Sequence, residues 1–83
     1  MTSSNDRRHR LQSYPVPVLN AAIDDIIYKQ KDREIMRDMF TGEIQLTYDA
    51  ASQKYNYSRT GMIKHVGQLT DRVETYLKNG HLN

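Results

Sequence analysis

The sequence predicts a small all-α protein, a bundle of about four helices, and three observations support this fold class. Apolar residues recur at steps of three and four along much of the chain, which is the period of one face of an α-helix. No candidate strand is longer than residues 43–48. The 83 residues contain no cysteine, so a single domain of this length has to be stabilised by packing rather than by disulfides.

The first two helices are predicted in the N-terminal half of the chain. Pro15 and Pro17 exclude a helix across residues 14–17, since each proline pushes its predecessor toward extended geometry, but Pro17 itself suits the first turn of a helix. Asp32 is predicted to cap the second helix, which should end at Gly42. The apolar stripes of the two helices are Leu19, Ile23, Ile26 and Ile27, followed by Ile35, Met36, Met39 and Phe40.

The last two helices are predicted to meet at a tight corner, Asn56-Tyr57-Ser58. Thr47 should cap the third helix, which runs to about Tyr55. In the corner, asparagine tolerates left-handed backbone geometry and serine is a favoured N-cap, so the fourth helix begins at Ser58 and should stop near Gly80. The apolar stripe of the fourth helix is Met62, Val66, Leu69, Val73, Tyr76 and Leu77.

A short helix, a tight corner and a longer helix together predict a helix-turn-helix. In that motif the second helix lies in the major groove of double-stranded DNA while the first braces it. The first helix has small residues, Ala51 and Ser52, where the two helices should pack. Turning by 100° per residue from the apolar stripe gives the outward face. We predict that bases are read by Thr60, Gly61, Ile63, Lys64 and Gln68, and that phosphates are bound by Lys54, Tyr57, Ser58 and Arg59.

Charge is distributed unevenly along a chain whose net charge is only +2. Residues 50–70 contain three basic side chains and no acid, which gives the local positive potential that binding to phosphates needs. Residues 1–13 are predicted to form a disordered basic tail, residues 14–80 a single helical DNA-binding domain, and residues 81–83 a short C-terminal tail. Three arginines of the first tail, Arg7, Arg8 and Arg10, either keep it soluble or dock on DNA.

Several features keep a second interpretation open. Lys64 and Gln68 also suit an ordinary solvated helix face. Gly61 and Gly67 each cost a helix roughly 1 kcal/mol relative to alanine, and either close approach to DNA or close packing explains them. A homodimer contact is the alternative role of the apolar side chains at the end of the chain, Tyr76, Leu77 and Leu82.

Other classes of function find no support in the sequence. The chain is short for a catalytic pocket, no nucleophile has a histidine and an acid at suitable spacing, and the three histidines are scattered. We therefore expect no enzyme activity, no catalytic residue, no metal and no cofactor. No apolar run is long enough to span a membrane, and the absence of cysteine suits the cytoplasm.

Four short features between residues 32 and 78 carry a family resemblance. The pair Ile35-Met36 in a charged helix precedes Gly42, and the segment Leu46 to Tyr48 and the turn Tyr57-Ser58 follow. In this combination the segment resembles region 4 of sigma-70-type factors, and more closely the sigma-like ArpU/RinA-type regulators of bacteriophages. The resemblance implies a four-helix unit that recognises a promoter element, contacts RNA polymerase and works in the cytoplasm of a bacterial host, associated with the nucleoid.

Three functional hypotheses follow. The first is a phage-type transcriptional regulator that binds duplex DNA. The second is a protein-interaction module that binds RNA polymerase or another regulator without specific DNA contact. The third is a phage DNA-packaging or recombination accessory, which would oligomerise on DNA.

Overall fold

Over residues 4–79 the chain folds into five α-helices and a π-helical turn. The structure, a computed structural model, describes the backbone of these residues and the side chains of residues 8–79. No strand occurs in that range, and the predicted all-α class is confirmed. The helices are α1 (Ser4–Gln12), α2 (Val16–Ile26), α3 (Gln30–Met36), α4 (Tyr48–Tyr55) and α5 (Arg59–Lys78), and the π turn (Arg37–Thr41) continues α3. None of these helices combines the length and the apolar character needed to cross a bilayer.

Helix α5 is the centre of the bundle, since it packs against the other four helices. Its predicted apolar stripe is confirmed, because Met62, Val66 and Val73 are fully buried and Leu69 nearly so. Burying a side chain of this size contributes about 1.5–3 kcal/mol, so these contacts are a substantial part of the stability of the fold. The rest of the core is Leu11, Leu19, Ala22, Ile23, Ile27, Ile35, Met36, Met39, Phe40, Tyr48 and Ala51.

The π turn ends where the sequence predicts a helix end. The backbone N–H of Gly42 donates to the carbonyl of Arg37 at 2.7 Å, a bond that spans five residues as π-helical geometry requires. A Cβ at position 42 would lie 3.2 Å from that carbonyl oxygen, which explains the glycine there. Further along, the amide of Gln45 donates to the carbonyl of Phe40 at 3.2 Å and satisfies another acceptor of the turn.

The predicted role of Asp32 as a helix cap is wrong. Helix α3 begins two residues before it, with Lys29 as N-cap and no side-chain cap hydrogen bond. Asp32 is instead buried, and its carboxylate lies 2.8 Å from Nε2 of His65 in α5. A partner 33 residues away outweighs the local preference of aspartate for the N-cap position, because a buried carboxylate needs a hydrogen-bonding partner.

The prediction of a disordered tail over residues 1–13 is also wrong for the part that the structure describes. Residues 4–12 form α1, and Leu11 is 0% exposed within the core. Little in the sequence indicates this helix, because α1 contains one apolar residue among eight polar ones and no amphipathic period is visible. The helical domain therefore starts before Tyr14, at or before Leu11.

Two of the three N-terminal arginines hold α1 in place. Nη2 of Arg8 donates to the carbonyls of Met39 at 3.1 Å and Leu46 at 2.7 Å, on either side of the connection between the π turn and α4. Nε of Arg10 lies 2.8 Å from a carboxylate oxygen of Glu74 in α5. Arg8 and Arg10 thus have partners within the fold. The Arg7 side chain, Leu82 and the predicted tail 81–83 lie outside the described residues.

Candidate nucleic-acid interface

The corner between α4 and α5 has the predicted local geometry. Oγ1 of Thr47 accepts from the N–H of Ala50 at 3.1 Å and caps α4. Asn56 adopts φ 62° and ψ 45°, the left-handed conformation that ends α4. Oγ of Ser58 then accepts from the N–H of Gly61 at 3.0 Å and caps α5. Thr47, Asn56 and Ser58 each stand where their residue type is favoured for a local reason. The path of the backbone from α4 into α5 is therefore set by neighbouring residues.

The exposed face of α5 is partly as predicted. Thr60, Lys64 and Gln68 are exposed, as the 100° rotation from the buried stripe requires. Among the described side chains, Lys64 and Gln68 make no ion pair and no side-chain hydrogen bond, which leaves them available to a ligand. Ile63 is half-buried and packs against the core, so it is less accessible than a base-reading residue should be.

Neither glycine of α5 is freely exposed. A Cβ at position 61 would come within 2.9 Å of Oγ of Ser58, closer than such atoms normally approach, so a larger residue would disturb the cap of α5. Gly61 is half-buried, and Gly67 is buried on the inner side of the helix. Gly67 therefore does not face a ligand, and the predicted approach of Gly61 to a base has to pass beside the Ser58 cap.

The residues predicted to bind phosphates are less free than expected. Nζ of Lys54 lies 2.7 Å from Oδ2 of Asp38, and Oγ of Ser58 is occupied by the helix cap. Nε of Arg59 lies 2.7 Å from Oδ1 of Asp49, but both side chains are about two-thirds exposed. An exposed ion pair contributes at most about 1 kcal/mol, so Arg59 can exchange this partner for a phosphate.

The fourth predicted phosphate ligand, Tyr57, belongs to a small cluster. Its half-buried ring stacks on His65 with the ring centres 5.4 Å apart. Nζ of Lys31 lies 4.9 Å from the centre of the Tyr57 ring, a cation–π distance. This contact links the corner to the start of α3 and places the Lys31 ammonium group close to the corner. Sequence reasoning missed this cation, because the contact joins distant segments.

Asp38 fastens the last turn of α4 to the π turn. Its Oδ2 accepts hydrogen bonds from Nζ of Lys54 and from the hydroxyl of Tyr55. Burial alone would raise the pKa of Asp38, but the two hydrogen bonds and the charge of Lys54 together lower it below its ordinary value. Burial, and then the hydrogen bond to Asp38, raise the pKa of Tyr55 to about 12. Tyr55, which precedes the corner, is thus held by a hydrogen bond to the charged carboxylate of Asp38.

Replacing Tyr55 by phenylalanine should reduce the fall in the free energy of unfolding at alkaline pH. The folded state holds the Tyr55 proton up to about pH 12, whereas an unfolded tyrosine loses it near 10.0. The unfolded state therefore binds fewer protons between these values, and the free energy of unfolding falls as pH rises from 10 to 12. Because solvent partly screens this half-buried group, we expect a fall of about 1–2 kcal/mol from it. Urea unfolding at several pH values should show a smaller fall in the Tyr55→Phe variant.

The matched control for that experiment is Tyr28→Phe. Tyr28 is 77% exposed, so removal of its hydroxyl should leave the fall between pH 10 and 12 as steep as in the wild type. Equal slopes for all three proteins would contradict the role of the Tyr55 hydroxyl.

The apolar side chains considered for a dimer contact are largely engaged within the chain. Tyr76 and Leu77 are half-buried and pack against the core. The hydroxyl of Tyr76 donates to Oδ2 of Asp25 in α2 at 2.7 Å. The described part of α5 thus uses these side chains for its own packing.

No group of histidine, aspartate and glutamate side chains within the described residues is arranged to hold a metal ion. Comparison with models of known protein families, with curated proteins and with solved structures finds no match to the chain. In its structure the protein is an all-α bundle whose longest helix, α5, has an exposed polar face.

Proposed function

We propose that the chain is a transcriptional regulator that binds double-stranded DNA, with the N-terminal half of α5 in the major groove. The observation that carries this proposal is the row of exposed side chains Thr60, Lys64 and Gln68, which begins directly after a capped corner. A helix presented in this way can enter a groove about 12 Å wide. In this proposal α4 and α5 act as a helix-turn-helix, with α4 as the bracing helix.

Each of the exposed side chains has a chemistry that suits a base edge. Lysine donates to O6 and N7 of guanine, glutamine pairs with N6 and N7 of adenine, and threonine can contact either. Arg59 lies nearer the corner in an exposed ion pair with Asp49 and would bind a phosphate, which positions the helix without reading sequence. The resemblance to region 4 of sigma-70-type factors and to ArpU/RinA-type regulators supports a promoter as the target and a bacterial cytoplasm as the place of action.

Lys64→Ala is expected to weaken binding to the preferred duplex by about 1–3 kcal/mol and to relax base preference at one position. The preferred duplex is first selected from a random pool with the wild-type protein, and affinity is then measured by fluorescence anisotropy. The matched control is Lys78→Ala, which removes the same charge from the same helix about 21 Å further along its axis. It should leave the base preference unchanged.

The same experiment separates the alternatives. Equal losses in the two lysine variants, with no enriched sequence, would indicate nonspecific electrostatic binding and contradict the proposal. An absence of duplex binding at low salt together with capture of RNA polymerase would favour the protein-interaction module. Oligomerisation along the duplex would favour a packaging or recombination accessory.

A further inference from the structure

Beside the exposed row of α5 lies a cleft of about 300 Å³ that the sequence did not indicate. One wall is the connection between α2 and α3, which contributes Tyr28 and Lys29, and the other wall is the middle of α5. The polar and aromatic side chains that line it are Tyr28, Lys29, Asp32, His65, Gln68 and Arg72.

The cleft lining has two cations, Lys29 and Arg72, and one acid, Asp32. Within the described part of the chain, neither Lys29 nor Arg72 forms an ion pair. The one acid of the lining, Asp32, is buried and bonded to His65 at 2.8 Å. Asp71, next to Arg72 in sequence, lines a second cleft to which Arg72 also contributes, and it has an interaction of its own. Two unpaired cations against one buried carboxylate leave the lining with a net positive charge, which favours an anionic ligand.

The connection that carries Lys29 is firmly held. Nη1 of Arg33 donates to the carbonyls of Ile27 and Tyr28, at 3.0 Å each. Ile27 is buried in the core, while the following Tyr28 is 77% exposed. The backbone is therefore fixed at the tyrosine, whose ring and hydroxyl are presented to solvent at the cleft. A tyrosine hydroxyl is a common donor to DNA phosphates.

Gln68 belongs both to this cleft and to the exposed row of α5. Lys64, Gln68 and Arg72 follow one another at intervals of four residues, so they lie along the same side of the helix. When Thr60 to Gln68 occupy the major groove, the sugar–phosphate backbone that borders the groove passes beside Gln68. The cleft lies where the protein would contact that sugar–phosphate backbone.

We propose that this cleft binds a backbone phosphate of duplex DNA, with Lys29 and Arg72 as the charged ligands and Tyr28 as a neutral donor. The inference rests on the proposed function, and it adds a second anchoring point on the connection between α2 and α3, outside the helix pair that reads the groove. A phosphate contact of this kind adds affinity and carries no sequence information of its own.

The test is a salt titration of binding to the selected duplex. Removal of one phosphate contact reduces the slope of log affinity against log salt concentration by about 0.9. The double variant Lys29→Ala/Arg72→Ala removes the single phosphate contact of the cleft, so its slope should be reduced by about 0.9 while it keeps the base preference of the wild type. The charge-conserving variant Lys29→Arg/Arg72→Lys should retain the wild-type slope, and Lys78→Ala, with a charge removed elsewhere on α5, should also retain it.

The outcomes distinguish the inference from the function on which it rests. A wild-type slope in the double variant overturns the phosphate site and leaves DNA binding intact. A changed base preference in the double variant also overturns it, because the two residues would then read bases. Absence of any duplex binding by the wild-type protein at low salt removes the proposed function itself.

A free phosphate-bearing ligand is the remaining source of the same chemistry. Inorganic phosphate is titrated into the wild-type protein without DNA, and binding is followed by NMR shifts of residues 28, 29 and 72. Weak, millimolar association agrees with a site completed by the duplex. Saturation at micromolar phosphate, abolished in the double variant, combined with an unchanged slope on DNA, would assign the cleft to a small ligand and overturn the proposal.

Discussion

Leu11→Ala is expected to lower the free energy of unfolding by about 2–5 kcal/mol, the usual range for removing a buried leucine side chain. Leu11 is 0% exposed, and it is the only apolar residue of α1. A domain of this size has a total stability of about 4–12 kcal/mol, so the loss is a large share of it. Urea unfolding followed by far-ultraviolet circular dichroism measures the change.

Ile44→Ala is the control for this experiment. Ile44 is also a large apolar residue, but it is 82% exposed in the connection between the π turn and α4. Its replacement should change stability by no more than about 0.5 kcal/mol. If Leu11→Ala were as mild as Ile44→Ala, α1 would not be part of the folded core.

Asp38→Ala is expected to be the most disruptive change among the exposed or half-buried ion pairs. It removes the acceptor of the Tyr55 hydroxyl as well as the partner of Lys54. Hydrogen bonds to a charged group contribute about 1.5–3 kcal/mol, and the half-buried Tyr55 hydroxyl would be deprived of its partner. We expect a loss of about 2–3 kcal/mol in urea unfolding. Binding to the selected duplex should weaken as well, because the last turn of α4 sets the start of the corner.

Asp24→Ala provides the comparison. Asp24 also pairs with a basic residue, Arg37, but 53% of the Asp24 side chain and 44% of the Arg37 side chain are exposed. Exposed pairs of this kind contribute at most about 1 kcal/mol. Equal losses for the two aspartate variants would mean that the cluster around Asp38 has no special role in holding α4.

The features of the fold that could be predicted from the sequence are those that depend on residues close together in the chain. The cap at Ser58 and the left-handed residue at Asn56 depend on their nearest neighbours, so residue type was enough. The apolar stripe of α5 repeats along the helix and was equally plain. Helix α1 offered one leucine, and its arginines reach partners as far as 38 and 64 residues away. Such partners become visible only when the helices are packed.

The candidate interface likewise has features that could be predicted from the sequence and features that could not. The exposure of Thr60, Lys64 and Gln68 follows from helical rotation and is confirmed. The occupation of Lys54 by Asp38 could not be foreseen, because a lysine in an acid-free stretch can still meet an acid from another segment. Arg72 could have been found, since it continues the four-residue spacing of Lys64 and Gln68. Lys29 could not, because its position beside α5 depends on how α2 and α3 pack.

The pairing of the first helix with the last also has a consequence for synthesis of the chain. Arg10 in α1 meets Glu74 in α5, so α1 finds this docking surface only after translation has passed through α5. Contacts between such distant segments form late and slowly. Until then, the early segment exposes a single leucine among charged and polar side chains. Helix α1 itself therefore offers little apolar surface to which chaperones or other unfolded chains could bind while it has no partner.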